Sequence, residues 1–424
     1  AVKQIVNTAG IESSQSTTFS YAGGEYAFID RSNRRFAGFS KVVATDSVGN
    51  TTISYFHQGN SSNTAQGEYQ DEFHKIGRVY RTEVRDGSGN LMSAAINRWD
   101  SADLGQGRKF VKLVRTVNQT WEGGANHRNT ATELTYESTN GGLMTRAEWG
   151  EVLGQTDGSF TDTGSDKLFT SYQRIFNTIT GVRSLPSRET TVDQAGTQVA
   201  DAKYYYDNQA VGLTKGNLTK VEQWVSGISY VANTKAYNSY GLVTEERDAR
   251  GLPTTYTYDA LNLYPATVTN ALGQATQFQY DYASGQPTVA IDTNGARSET
   301  AYDGLGRTLT VKVPFDANHA QAVLKTAFTY TDTRLGVSVQ QRDYFASDRI
   351  ASRDTYQYFD GLGRLVQTRS QSNSPAQYVV ADTVYNSRGL VDKQSLPYFG
   401  SGSFFFYDSA SSEIYTTYVY DTLG

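Results

Sequence analysis

Apolar and polar residues alternate with a period of two over much of the chain, as in Thr255-Tyr256-Thr257-Tyr258 and Thr276-Gln277-Phe278-Gln279-Tyr280. Alternation rich in β-branched and aromatic residues predicts strands rather than helices. The runs are punctuated at a fixed interval: Asp248, Asp259, Asn270, Asp281, Asp292 and Asp303 lie eleven residues apart. Around them stand Asp248-Ala-Arg-Gly251, Asn270-Ala-Leu-Gly273, Asp292-Thr-Asn-Gly295 and Asp303-Gly-Leu-Gly306. An Asp or Asn side chain accepts a backbone N–H two residues on, and the glycine takes the positive φ that closes such a turn. Two turn spacings make a unit of roughly 22 residues, strand–turn–strand–turn.

The vocabulary recurs at looser spacing in Tyr205-Tyr206-Asp207, Tyr237-Asn238-Ser239-Tyr240-Gly241, Tyr358-Phe359-Asp360-Gly361-Leu362-Gly363-Arg364 and Tyr385-Asn386-Ser387-Arg388-Gly389. Inserts near 310–330, 333–350 and 370–383 are expected to be longer hairpins or loops on one edge. One hairpin is marginal alone, but stacked hairpins share a sheet face. The fold class is therefore all-β, a continuous antiparallel strip of hairpins.

Three regions are expected: entry strands and loops over 1–34, irregular hairpins over 35–200, and the repeat array over 201–424, with a soft boundary near 190–205. In the middle region Asp46-Ser-Val-Gly49, Asp86-Gly-Ser-Gly89 and Asp193-Gln-Ala-Gly196 mark turns. Strands are expected over Val42–Thr45, Thr51–Phe56, Arg78–Val84, Lys109–Val117 and Ala131–Tyr136. Gly59–Gly67, Gly123–Thr130 and Gln155–Gly164 read as loops, and a short helical turn fits Glu68–Lys75. Ala1 is not an initiator Met, and Tyr420-Asp421-Thr422-Leu423-Gly424 is a turn motif without its return strand. A piece of a longer protein, with open strand edges that would let two copies pair, is the expectation.

Composition sharpens this. Only 38% of the residues are hydrophobic, yet there are 30 Tyr and 19 Phe, enough large rings to argue against disorder. Low aliphatic content suits a sheet with both faces toward water. The formal charge is −5 with both signs dispersed, which gives no basic footprint for nucleic acid. No stretch approaches the roughly eighteen apolar residues of a membrane-crossing helix. The absence of cysteine excludes disulfides, thiol nucleophiles and thiolate metal ligands.

Candidate chemistry is sparse. His57, His74, His127 and His319 share no metal-ligand spacing, and no Gly-x-Ser-x-Gly elbow or phosphate-cradling loop occurs. Asp71-Glu72, Glu245-Glu246 and Asp100 offer carboxylates for glycoside hydrolysis, but an array with an acid at every turn supplies chance pairs. Asp86, Asn90, Asp292 and Asn294 offer oxygens for calcium without an EF-hand register. Trp99, Trp121, Trp149 and Trp224 would make a sugar- or protein-binding surface if exposed together, and core packing is the plainer use. No catalytic, metal or cofactor site is predicted. The residues expected to matter are the turn positions Asp248, Gly251, Asp259, Asn270, Gly273, Asp292, Gly295, Asp303, Gly306, Arg307, Asp360, Gly363 and Arg364. With them stand the strand aromatics Tyr256, Tyr258, Phe278, Tyr280, Tyr302 and Tyr358, read as interstrand ladders. Arg307 and Arg364 are expected to cap neighbouring turn carboxylates.

The segments Tyr302-Asp-Gly-Leu-Gly-Arg307, Phe359-Asp-Gly-Leu-Gly-Arg364 and Tyr420-Asp-Thr-Leu-Gly424 resemble the YD repeat of RHS and teneurin-type proteins. Phe36-Ala-Gly-Phe39, Tyr55-Phe-His57-Gln-Gly59 and the acidic-aromatic run Glu68–Phe73 closing on Gly77-Arg78-Val79 resemble the middle region of the B component of bacterial ABC toxin complexes. His74-Lys75-Ile76-Gly77 departs from the usual aromatic-glycine form there. The resemblance spans roughly 35–424 and is more specific after 200. It implies a hairpin strip spiralling into a hollow, secreted or cell-surface shell around a toxin polypeptide. The partners it implies are the rest of the shell, that cargo and other toxin-complex subunits. The aspartyl-type autoproteolytic motif of such shells is absent from these residues, so no enzyme is expected here. The alternative is an extracellular adhesin or carbohydrate-binding repeat protein, with a glycoside hydrolase behind it.

Overall fold

The computed structural model describes residues 1–7, 15–31, 33–121, 127–138, 141–175, 184–208, 215–314, 322–333, 336–344, 352–374, 376–403 and 414–422. His319 and the terminal Leu423-Gly424, along with parts of the expected inserts, lie outside them. The described chain is strand and turn throughout, with two single 3-10 turns at Thr64–Gln66 and Phe73–Lys75. It forms one long antiparallel hairpin sheet. Among the described residues no helix is long and apolar enough to cross a membrane.

Two compact units divide it. The first holds Ala1–Val6, Ser16–Ala232 and Tyr420–Gly424, the second Asn7–Gln15 and Asn233–Val419. In the first unit each strand pairs with the next, from Gln15–Phe28 with Arg34–Thr45 to Gln198–Tyr206 with Leu218–Ser226. The exception is Leu143–Gly154, which pairs with Leu168–Ile175 over one half and with the short strand Phe160–Asp162 over the other. The expected loop at Gln155–Gly164 is thus a hairpin. That at Gly123–Thr130 is corrected too, since strand His127–Tyr136 already begins at His127 and pairs with Trp121. The Arg-Asn-Thr composition hid it, because its face is polar.

In the second unit consecutive pairing runs from Val243–Arg247 to Gln377–Tyr385. There the strip forks, with Val391–Ser395 on one end of that last strand and Tyr398–Ser401 on the other. The inserts are the long hairpins Ala322–Thr333 with Gly336–Tyr344 and Leu365–Gln371 with Gln377–Tyr385.

No large apolar core exists among the described residues. The one apolar cluster is Val117, Ala131 and Val152, flanked by Trp149 and Phe160. Buried charged and polar residues are as prominent as buried aliphatic ones. Many of them are satisfied in polar ladders: Arg81 with Glu83 along one strand, and Arg188 with Asp201 and Arg342 with Asp354 across strands. Gln367 donates to Asp382 at 2.7 Å, and Tyr398 donates to the same carboxylate. A sheet held by hydrogen-bonded ladders needs no second layer to bury an apolar face.

Candidate functional site

Each repeat turn is closed by its own carboxylate or amide. Asp303 Oδ1 accepts from the Leu305 and Arg307 N–H groups, both at 2.9 Å, and Gly306 N–H donates to the Asp303 carbonyl. The same pattern holds at Asp248, Asn270, Asp292 and Asp360, with Gly251, Gly273, Gly295 and Gly363 at φ between 76° and 80°. Asp259 makes a longer turn in which Oδ1 accepts from Leu263 and Asn262 takes the positive φ. Backbone donors hold the Asp248, Asp259 and Asp303 carboxyls below their ordinary value.

Arg307 and Arg364 both grip the carboxylates of their own turns, and Arg307 holds one at the end of the next hairpin as well. Arg307 Nε donates to Asp303 Oδ2 at 2.7 Å and Arg364 Nε to Asp360 Oδ2 at 2.8 Å. The four-residue spacing brings the guanidinium back over the turn it follows. Its plane then lies on the tyrosine of the next hairpin, Arg307 at 4.3 Å from the Tyr330 ring centre and Arg364 at 4.2 Å from that of Tyr385. Arg307 also reaches Asp332 at 2.8 Å, and that bond and the one to Asp303 raise its pKa.

The tyrosine before each turn has a different role. A register shift precedes it at Ala236/Tyr237, Thr257/Tyr258, Gln279/Tyr280 and Ala301/Tyr302. Such bulges re-aim a side chain. The backbone of each tyrosine pairs forward: Tyr237 with Val243, Tyr258 with Pro265, Tyr280 with Pro287, Tyr302 with Thr308. The hydroxyl of each following tyrosine bonds backward to the carbonyl of that same partner. Tyr258 donates to Val243 at 2.7 Å, Tyr280 to Pro265 at 3.1 Å, Tyr302 to Pro287 at 3.0 Å and Tyr330 to Thr308 at 2.9 Å. The result is a seam running across the strands at one end of each. Burial raises the Tyr258, Tyr280 and Tyr330 hydroxyl pKa values, so the phenols remain donors. Tyr206 to Pro186 and Tyr385 to Leu365 repeat the bond elsewhere.

The other predicted aromatics have separate partners. Tyr256 donates to Glu246, Phe278 lies 6.3 Å from the Tyr280 ring, and Tyr358 bonds to the Ser403 carbonyl.

A second feature lies in the first unit and was not legible as a group. His57 is buried, and its Nδ1 is 3.0 Å from Asp71 Oδ1 and 3.5 Å from Glu68 Oε1. The ligand atoms of the three residues lie within 4.8 Å of one another. Asp71 is used as a backbone clamp: it also accepts from the N–H groups of Gln58, Gly59 and Asn60. Desolvation raises its pKa, but the His57 bond and these donors outweigh it, and the net shift is downward. Glu68 accepts from Asn63 N–H, and burial pushes its pKa up. Lys75, with no exposed surface, donates to the Tyr69 and Gln70 carbonyls, and desolvation lowers its pKa. This cluster pins the Tyr55–Gly59 segment to the Glu68–Lys75 run. The isolated histidine and the acidic run were each visible in the sequence, but the fold alone brings them together.

The remaining candidates do not converge. Glu245 pairs with Arg247 and Glu246 with Lys235, while Glu72 accepts from Ser101. Asp86 uses its oxygens on Ser88 and Asn90. His127 contacts Asn129, and His74 packs edge-on against Phe73. Trp99, Trp121, Trp149 and Trp224 are all half-buried. Trp149 donates to Glu133 beside the apolar cluster, Trp121 packs on His127, and Trp99 and Trp224 donate to backbone carbonyls.

Residues 237–267 match the RHS Repeat family, and residues 332–424 match a domain of unknown function, DUF6443. No curated protein matches the sequence. Among solved structures the chain is similar to the crystal structure of TcdB2-TccC3, with a TM-score of 0.72 and 14% identity over 91% of this chain and 28% of that one. It is also similar to the Photorhabdus luminescens Tc holotoxin pore carrying TccC3-D651A, with a TM-score of 0.71 and 12% identity over 91% of this chain and 30% of that one. The chain therefore spans less than a third of the length of these structures. The capped turns and the tyrosine seam extend on both sides of the segment that matches the RHS repeat, and the fold of the chain is related to that of these Tc toxin structures.

Proposed function

We propose that this chain is wall material of a secreted or cell-surface toxin shell, and that the wall encloses and shields a polypeptide. The observation that carries the reading is the hairpin sheet held by polar ladders and a tyrosine seam in place of a filled core. Such a sheet can present both faces to water and surround a volume without collapsing into it. Its partners are then the rest of the shell, the enclosed chain and other toxin-complex subunits. Its contribution is containment, with no bond made or broken by the residues described above.

Protease protection tests this in the natural protein that carries the chain. An enclosed polypeptide is expected to survive a broad-specificity protease that removes exposed tails, and to be digested once mild denaturant opens the wall. Equal digestion of the polypeptide before and after opening would refute containment.

A further inference from the structure

An open groove of about 520 Å³ lies on the first unit, over strands Leu91–Asp103, Lys109–Trp121 and His127–Tyr136, with Gln70 at its rim. Register sets Arg98 opposite Arg115, and Arg115 opposite Glu133. Like charges directly opposite are unfavourable in a sheet. Glu133 neutralises one of the two, accepting from Arg115 Nε and Nη2 at 2.9 and 2.7 Å. Arg98 is left exposed, its guanidinium 4.9 Å from the Tyr69 ring centre and with no carboxylate within 4.0 Å among the described residues.

Further along the groove Lys112 faces Asp100 in register, but Nζ stands 3.9 Å from its carboxylate, beyond hydrogen-bond reach. Beneath the rim the buried Lys75 ammonium bonds to the Tyr69 and Gln70 carbonyls, and its charge is balanced by Glu72, Asp71 and Asp100 around it. The groove lining thus carries Arg98, Lys112 and Arg115 against Asp100 and Glu133, one cation in excess, with two under-used donors.

We propose that the groove binds the carboxylates of an acidic, extended polypeptide segment. Arg98 takes one side-chain carboxylate through its planar fork, and Lys112 takes the carboxylate two residues along. The spacing favours a peptide. Lys112 lies opposite a position two residues from Arg98 on the same strand, about 7 Å along it, which is the repeat between same-side residues of an extended chain. An acidic polysaccharide is less favoured because the rings at the groove, Trp99 and Tyr136, already have neighbours. Arg78 covers Trp99 at 5.1 Å, and Tyr136 meets Phe110 edge-on at 5.9 Å. The inference rests on the shell reading only for the kind of partner, a polypeptide, and its test requires no enclosure.

The test is calorimetric titration of the purified chain at low salt with a Glu-Thr alternating peptide, a Lys-Thr peptide and an oligogalacturonate. Arg98→Gln, Lys112→Gln, the double variant and a remote Lys235→Gln control accompany the unaltered chain, with circular dichroism confirming that each is folded. The Glu-Thr peptide is expected to bind, to weaken about tenfold with either single variant, and to be lost in the double variant. The control should bind as the unaltered chain does. No binding, binding undiminished in the double variant, or tighter binding of oligogalacturonate or the Lys-Thr peptide would overturn the proposal. Failure here leaves the protease-protection result untouched, and the reverse also holds.

Discussion

The Tyr280 hydroxyl donates to the carbonyl of Pro265, the residue whose backbone pairs with Tyr258 one repeat earlier. This relation separates the two halves of the Tyr-Asp motif physically. The tyrosine ties its hairpin backward to the preceding strand, and the acid closes the turn ahead. Proline is tolerated at 265, which opens its strand, and at 287, the second residue of its own, because each contributes a carbonyl, not a donor, to the seam.

Tyr280→Phe removes the hydroxyl and little else. It is expected to cost about 1 kcal/mol, read as faster amide hydrogen exchange in Pro265–Thr269 and Ala275–Asp281. Unchanged exchange in both strands would show that the seam bond contributes nothing.

Two glycines separate backbone strain from crowding. Neither Gly295 nor Gly304 has an atom within 4 Å of where a Cβ would stand, but Gly295 has φ +80° while Gly304 lies outside the left-handed region. Gly295→Ala is therefore expected to cost about 1–2 kcal/mol, and Gly304→Ala to stay within roughly 0.5 kcal/mol of the parent. Denaturant unfolding compares them, and equal effects would contradict the turn assignment.

Asp360 keeps its carboxylate out of solvent, and Arg364 pairs with it at 2.7 Å. Arg364→Met leaves a buried charge without its cation and is expected to cost about 3 kcal/mol. Arg364→Lys should recover part of this, because it restores the charge without the fork that grips Asp360 and lies on Tyr385. Full recovery by lysine would show that charge alone matters.

These arrangements show how much was legible beforehand. The eleven-residue interval disclosed strands and turns, because turn chemistry is local: Asp303, Gly306 and Arg307 act within five residues. The reach of Tyr280 to Pro265 was not legible, since it depends on a bulge that no residue type announces. His57 and Asp71 were read separately because their contact depends on how the loop folds back. The polar strand start at His127 was missed because a two-faced sheet lacks the apolar signal by which strands are found.

Acid should loosen the fold. Asp71, Glu83, Asp201 and Asp354 all have lowered pKa values, so the folded chain binds their protons less tightly than the unfolded chain, whose ordinary values are 3.8 for Asp and 4.5 for Glu. Their contribution is complete above those values and is lost as pH falls through the lower folded ones. Glu68 has the opposite sign: its raised pKa means that ionisation on going to neutral pH costs stability. These four, with the lowered turn carboxyls of Asp248, Asp259 and Asp303, outweigh Glu68 and predict a thermal midpoint that falls below about pH 4. A midpoint that is constant or rises there would refute the assignment.

The most direct measurement of the wall itself is electron microscopy of the purified chain. The account predicts a thin, curved β wall with solvent on both faces. A compact, solid body would contradict it, because a sheet that buries one face in a filled core has no interior in which to hold a polypeptide.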